Sequence, residues 1–143
     1  MTQAIWQAIG VMVMSLDLHV ALWPVTLGLL VLAAGCGIGL YRSNHLSSWQ
    51  TRVVLASSAV AVVGISFYAV AFWADHNVDT PETQEMPTNV LVALMSGYFA
   101  CTFLPVLFAK GYALPLAGVA AFLAWLNFGV FFVAIMAVSG SWL

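Results

Sequence analysis

Charge is what this chain most lacks. Of its 143 residues, 6% are Asp, Glu, Lys or Arg, three of them basic and five acidic, against about 25% in an ordinary soluble domain. So few charged side chains cannot cover a water-soluble domain of this size, so lipid must be the solvent for most of it. Only Arg42, Arg52 and Lys110 could neutralise phosphate, which excludes nucleic acid as a partner. The two cysteines, Cys36 and Cys101, sit in apolar stretches and form no Cys-x-x-Cys pair. That argues against paired-thiol redox chemistry, and both are expected to be small core residues.

Catalytic signatures are missing too. There is no His-Glu-x-x-His, no phosphate-binding glycine loop and no nucleophile elbow, so no catalytic residue is assigned and the reading leans away from an enzyme. Bis-histidine haem ligation needs two histidines at matching depth inside a bundle. His19 and His76 are expected at one membrane rim and His45 on the opposite side. No cofactor and no metal site is expected.

What the chain has is apolar length. Hydrophobic residues make up 64% of it, and its mean hydropathy is +1.05. A bilayer core about 30 Å thick takes roughly 20 apolar residues in a helix. Four runs meet that need, at about 20–41, 53–73, 90–109 and 114–138. They are continuous, without the alternation of a membrane β-barrel. The expected fold class is an all-α integral membrane protein, a four-helix transmembrane bundle forming one domain over 1–143. Pro24 and Pro115 fall in first helical turns, where no hydrogen bond is lost. Pro105 predicts a kink or an early end to the third span.

Residues 1–19 are too apolar for a loop and, added to the first span, too long for one crossing. Gln3, Gln7, Gly10, Met14 and Asp17 mark one helical face; Ile5, Trp6, Ile9, Met12, Val13 and Leu16 mark another. The pattern predicts an amphipathic helix over about 3–16, lying on the membrane surface. The alternative is one long tilted first helix. A secretory signal peptide would begin with basic residues, and this stretch has none.

The few charges are sorted. Arg42 and Arg52 separate the first two spans, and Lys110 separates the last two. Bases are retained in the cytoplasm during insertion, so 42–52 and 110–113 are expected inside and both termini outside, in a bacterial inner membrane. Four of the five acids, Asp75, Asp79, Glu82 and Glu85, then fall in one outer loop.

That loop, with His76 and with Asp17 and His19 before the first span, is the expected face for a partner or ligand, suited to a basic partner or a cation. Met12 and Met14 add thioethers, but the spacing fits no metal motif. Inside the spans the polar residues are Asn127, Thr102 and Ser66, which could line a path or hydrogen-bond between helices. Gly35, Gly39, Gly64 and Gly97 predict close helix packing. The expected function is a non-catalytic subunit in a membrane assembly, bound to lipid and to a membrane protein partner or a second copy. A transporter or channel component is the alternative, and a membrane enzyme or metal-binding protein using the outer Asp/His group comes third.

Overall fold

The structure, a computed structural model, describes residues 2–72 and 81–139. Five helices follow in order: α1 (Thr2–Ala21), α2 (Trp23–Arg42), α3 (Trp49–Ala71), α4 (Pro81–Leu107) and α5 (Ala113–Ser139). The last four are long and apolar enough to cross a bilayer. The protein is an all-α integral membrane protein, a four-span bundle preceded by a further apolar helix, as its hydropathy predicts.

Prolines explain two of the helix limits. The third span was expected from residue 90, yet α4 starts at Pro81. Proline is preorganised for a first helical position. The second half of the acidic segment is therefore helical. At the other end, Pro105 lacks the N–H that would bond back one turn. The helix stops at Leu107, and Phe108 and Ala109 close it with N–H bonds to the Pro105 and Val106 carbonyls at 3.2 and 3.1 Å. Of the two expected outcomes, this is the early end.

α5 packs against every other helix, and α3, α4 and α5 pack mutually as a triangle. Eleven α5 residues are buried, most of them Ala, Gly or Val, the types that let backbones approach in lipid. One core joins Val11, Ile65, Leu91, Met95, Val133 and Val138; a second core gathers Leu40, Val54, Ala109, Tyr112, Leu116 and Ala120.

The N-terminal helix takes a position that differs from a helix lying across the bundle's end. α1 runs along α3 and α5, burying Ala8, Val11, Ser15 and His19 at 0–5% exposure. Ile5, Trp6, Ile9, Val13 and Leu16 are exposed instead. In lipid the outward face is apolar, and small or hydrogen-bonding residues face the bundle.

α2 then takes over against the N-terminal half of α5. Trp125 Nε1–H donates to Thr26 Oγ1 at 3.0 Å, Cys36 lies on Gly118, and Gly39 lies by Pro115. Together α1 and α2 line one side of α5 from end to end, interrupted at Leu22. There the backbone leaves the helix (φ −102°, ψ 35°), because Pro24 cannot donate to a carbonyl one turn earlier. Val25 and Thr26 N–H restart the ladder on the Leu22 carbonyl, both at 3.1 Å.

The end that carries the bases is knitted together. Asn44 adopts a left-handed φ of 57°, and His45 and Asn44 N–H bond to the Leu40 and Tyr41 carbonyls, a Schellman-type stop. Ser48 caps α3 by accepting from Thr51 N–H. The His45 ring stacks on Tyr112 at 4.0 Å, and Tyr112 O–H donates to Gln50 Oε1 at 2.6 Å. The two loops bearing Arg42, Arg52 and Lys110 thus form one surface.

Candidate functional site

Two polar centres lie at mid-depth, on different sides of α5. The first surrounds Asn127, which is fully buried. Its amide nitrogen lies 2.7 Å from Ser58 Oγ, 3.1 Å from Tyr98 Oη and 2.9 Å from the Leu123 carbonyl. Both hydroxyls face the amide as acceptors, so each keeps its O–H to donate onward. Tyr98 also hydrogen-bonds with Thr102, Thr102 lies 3.1 Å from Ser57 Oγ, and Ser57 donates to the Val54 carbonyl at 3.0 Å. The result is a hydroxyl chain linking α3, α4 and α5, closed at a backbone carbonyl. Asn127 and Thr102, both read from the sequence, meet here. Ser66 is also fully buried but stands apart from this chain.

The second centre is the helix break. His19 is 5% exposed, and its Nε2–H donates to the Leu126 carbonyl at 3.3 Å. Leu126 is thirteen residues from either end of α5, so the imidazole lies at the middle of the span rather than at the rim. The reason is packing: α1 lies along α5, and Gly129 leaves room for the ring, which an added Cβ would overlap. A carbonyl can only accept, so a proton is on Nε2. The carbonyl of His19, released by the break, accepts from Thr26 O–H at 3.0 Å, and Trp125 fixes Thr26 from α5. Two adjoining grooves of about 240 and 490 Å³ share Leu16, His19 and Leu126.

Among the described residues, three buried polar atoms have no hydrogen-bond partner: His19 Nδ1, Ser66 Oγ and Asn127 Oδ1. In lipid each such atom costs on the order of 1–3 kcal/mol. Val62, one turn from both Ser58 and Ser66 on α3, borders the smaller His19 groove. A third groove of about 500 Å³ opens between α3 and α4, with Ser57 and Tyr98 at its polar end and Gly64, Leu94 and Cys101 along it.

The expected outer face divides. Asp17 and His19 point to opposite sides of α1, the acid exposed and the imidazole buried. Asp75, His76 and Asp79 lie outside the described residues, and so do the side chains of Glu82 and Glu85. Met12 is half-buried and borders the smaller groove, while Met14 is exposed. Among the described residues, no three of His, Cys, Asp and Glu come together.

The packing glycines also fall elsewhere. An added Cβ at Gly35, Gly64 or Gly97 would meet open space, and one at Gly39 would only touch Pro115. The close contacts are at Gly118, beneath Cys36, and Gly129, beneath His19. These two are eleven residues apart, three helical turns, and so lie on one line of α5; that spacing was the signal in the sequence. Cys36 is half-buried, but Cys101 is exposed, unlike the core residue expected. Comparison with protein-family models, with curated proteins and with solved structures gave no match.

Proposed function

We propose that the protein is a non-catalytic subunit of a membrane assembly, and that it docks through the side formed by α1 and α2. The observation that carries this reading is the bareness of α2: Leu40 is its one buried residue. Gly28 and Gly35, seven residues apart and so on one face of α2, have nothing near the position of a Cβ. A helix with an open small-residue face is suited to close packing by another helix. The acidic segment around Asp75–Glu85 is a second recognition face on this reading, for a basic partner or cation at the outer end.

The protein would sit in a bacterial inner membrane with its basic loops in the cytoplasm, because Arg42, Arg52 and Lys110 share one end of the bundle and bases are retained inside. Labelling from outside should then modify a cysteine placed at Thr83 and spare one placed at Ser47; the reverse pattern would overturn the orientation. The subunit reading is tested by purification in mild detergent and mass measurement. A complex larger than the chain is expected.

A second reading, a transporter or channel component, is favoured by one observation: the unpartnered polar atoms of His19, Asn127 and Ser66 at depth. Intramembrane ionisable groups and broken helices recur along substrate and ion paths. Recovery of the monomer alone, active in a liposome flux assay, would put this reading first.

A further inference from the structure

We infer that Asp17 is the counter-charge for a basic side chain, Lys or Arg, that a different transmembrane chain places at mid-depth beside α1. The inference rests on the subunit reading above and names the chemistry of the partner.

The starting point is depth. His19 lies against Leu126 and Gly129 at the middle of α5. Asp17 is two residues earlier on α1, so about 3 Å further toward the outer end at 1.5 Å per residue. The hydrocarbon half-thickness is about 15 Å, which leaves the carboxylate well inside it. Long Lys and Arg side chains can reach an interface from such a depth; a short aspartate cannot. Yet Asp17 is exposed on the face opposite to buried Ser15 and His19. In the isolated chain that face meets lipid.

Among the described residues, the bases of this chain do not answer the charge. Arg42, Arg52 and Lys110 are all at the other end of the bundle, and His19 turns inward. A second copy does not answer it either. Symmetric copies in one membrane are related by an axis along the membrane normal, so Asp17 would meet residues of its own depth, including another Asp17. The complement must come from a chain that differs from this one.

The surroundings of Asp17 fit a helix. Trp6, Gly10, Val13, Asp17 and Val20 recur at spacings of four, three, four and three, the seam of a left-handed helix pair. Trp6, Val13 and Val20 are 53–70% exposed, and an added Cβ at Gly10 would meet nothing within 4 Å. Gly10 gives the partner backbone room two turns from the carboxylate.

The test reconstitutes the full chain in liposomes with a fluorescently labelled Leu/Ala transmembrane helix carrying one Lys at its centre. Control helices carry that Lys at one end, or none. Association, read by energy transfer, should favour the central Lys at least tenfold over both controls. Asp17→Asn should remove the preference and Asp17→Glu should keep most of it. Asp17→Lys should transfer the preference to a helix with a central Asp. Equal association of all three helices, or a preference that survives Asp17→Asn, would overturn the inference. The two proposals fail separately: a native complex that keeps its mass with Asp17→Asn sinks the counter-charge alone, whereas a monomer in every detergent sinks the subunit reading.

Discussion

α2 and α5 are both apolar, glycine-bearing and long enough to cross a bilayer, yet they are used in opposite ways. α5 is the hub, with eleven buried residues and each of its close-contact glycines occupied by a side chain from another helix. α2 leans on α5 along one edge and leaves Gly28, Gly35 and Gly37 uncovered. Hydropathy cannot distinguish the two, because lipid and a helix neighbour are equally apolar solvents. Where the side chains of other helices fall decides it. Small residues that are met hold the bundle together; small residues that are not met face outward from it.

The strongest way to break the contrast is to fill an occupied glycine. Gly129→Leu must displace the His19 imidazole and with it the end of α1 that packs on α5. Destabilisation of about 1–3 kcal/mol or more is expected, read by thermal unfolding in detergent. Gly118→Val should have a smaller effect, because the Cys36 thiol can partly turn aside. Its direct readout is faster modification of Cys36 by a lipid-soluble maleimide.

Asn127→Leu comes next. It removes the donor that ties Ser58, Tyr98 and Leu123, at about 0.6–2 kcal/mol for an interhelical hydrogen bond in lipid. Part of that loss is offset, since the unpartnered Oδ1 goes too. Gly35→Leu sharpens the contrast from the other side. The stability of the isolated chain should change by less than about 0.5 kcal/mol, while the yield of the purified complex should fall.

Much of this architecture is legible in the sequence. Continuous apolar runs and the polar joints between them locate the four spans, since twenty apolar residues have few other uses. Pro24 could be read as an early helical residue, and it is one. Its depth could not be read, because depth depends on α1 packing along α5, a contact between residues more than a hundred positions apart. His19 was assigned to the rim for that reason. Asn127 and Thr102 stand out as polar residues in apolar runs, but their shared hydroxyl chain depends on the relative rotation of three helices. Gly35, Gly64 and Gly97 were conspicuous for spacing alone. Spacing shows that a close approach is allowed, not that it occurs.

The interruption at Leu22 has a mechanical consequence. A continuous helix acts as a stiff shaft, so a twist applied at one end arrives at the other. Here the shaft is cut halfway, and Leu22 is the one residue outside helical geometry between its two halves. Torque on α1 is passed to α2 less fully along the backbone than it would be in an unbroken helix. It also reaches α2 directly, through Thr26 O–H on the His19 carbonyl, and through α5, by way of His19 on Leu126 and Trp125 on Thr26. Those three hydrogen bonds form the clutch between α1 and α2, and releasing them would let the two helices turn separately.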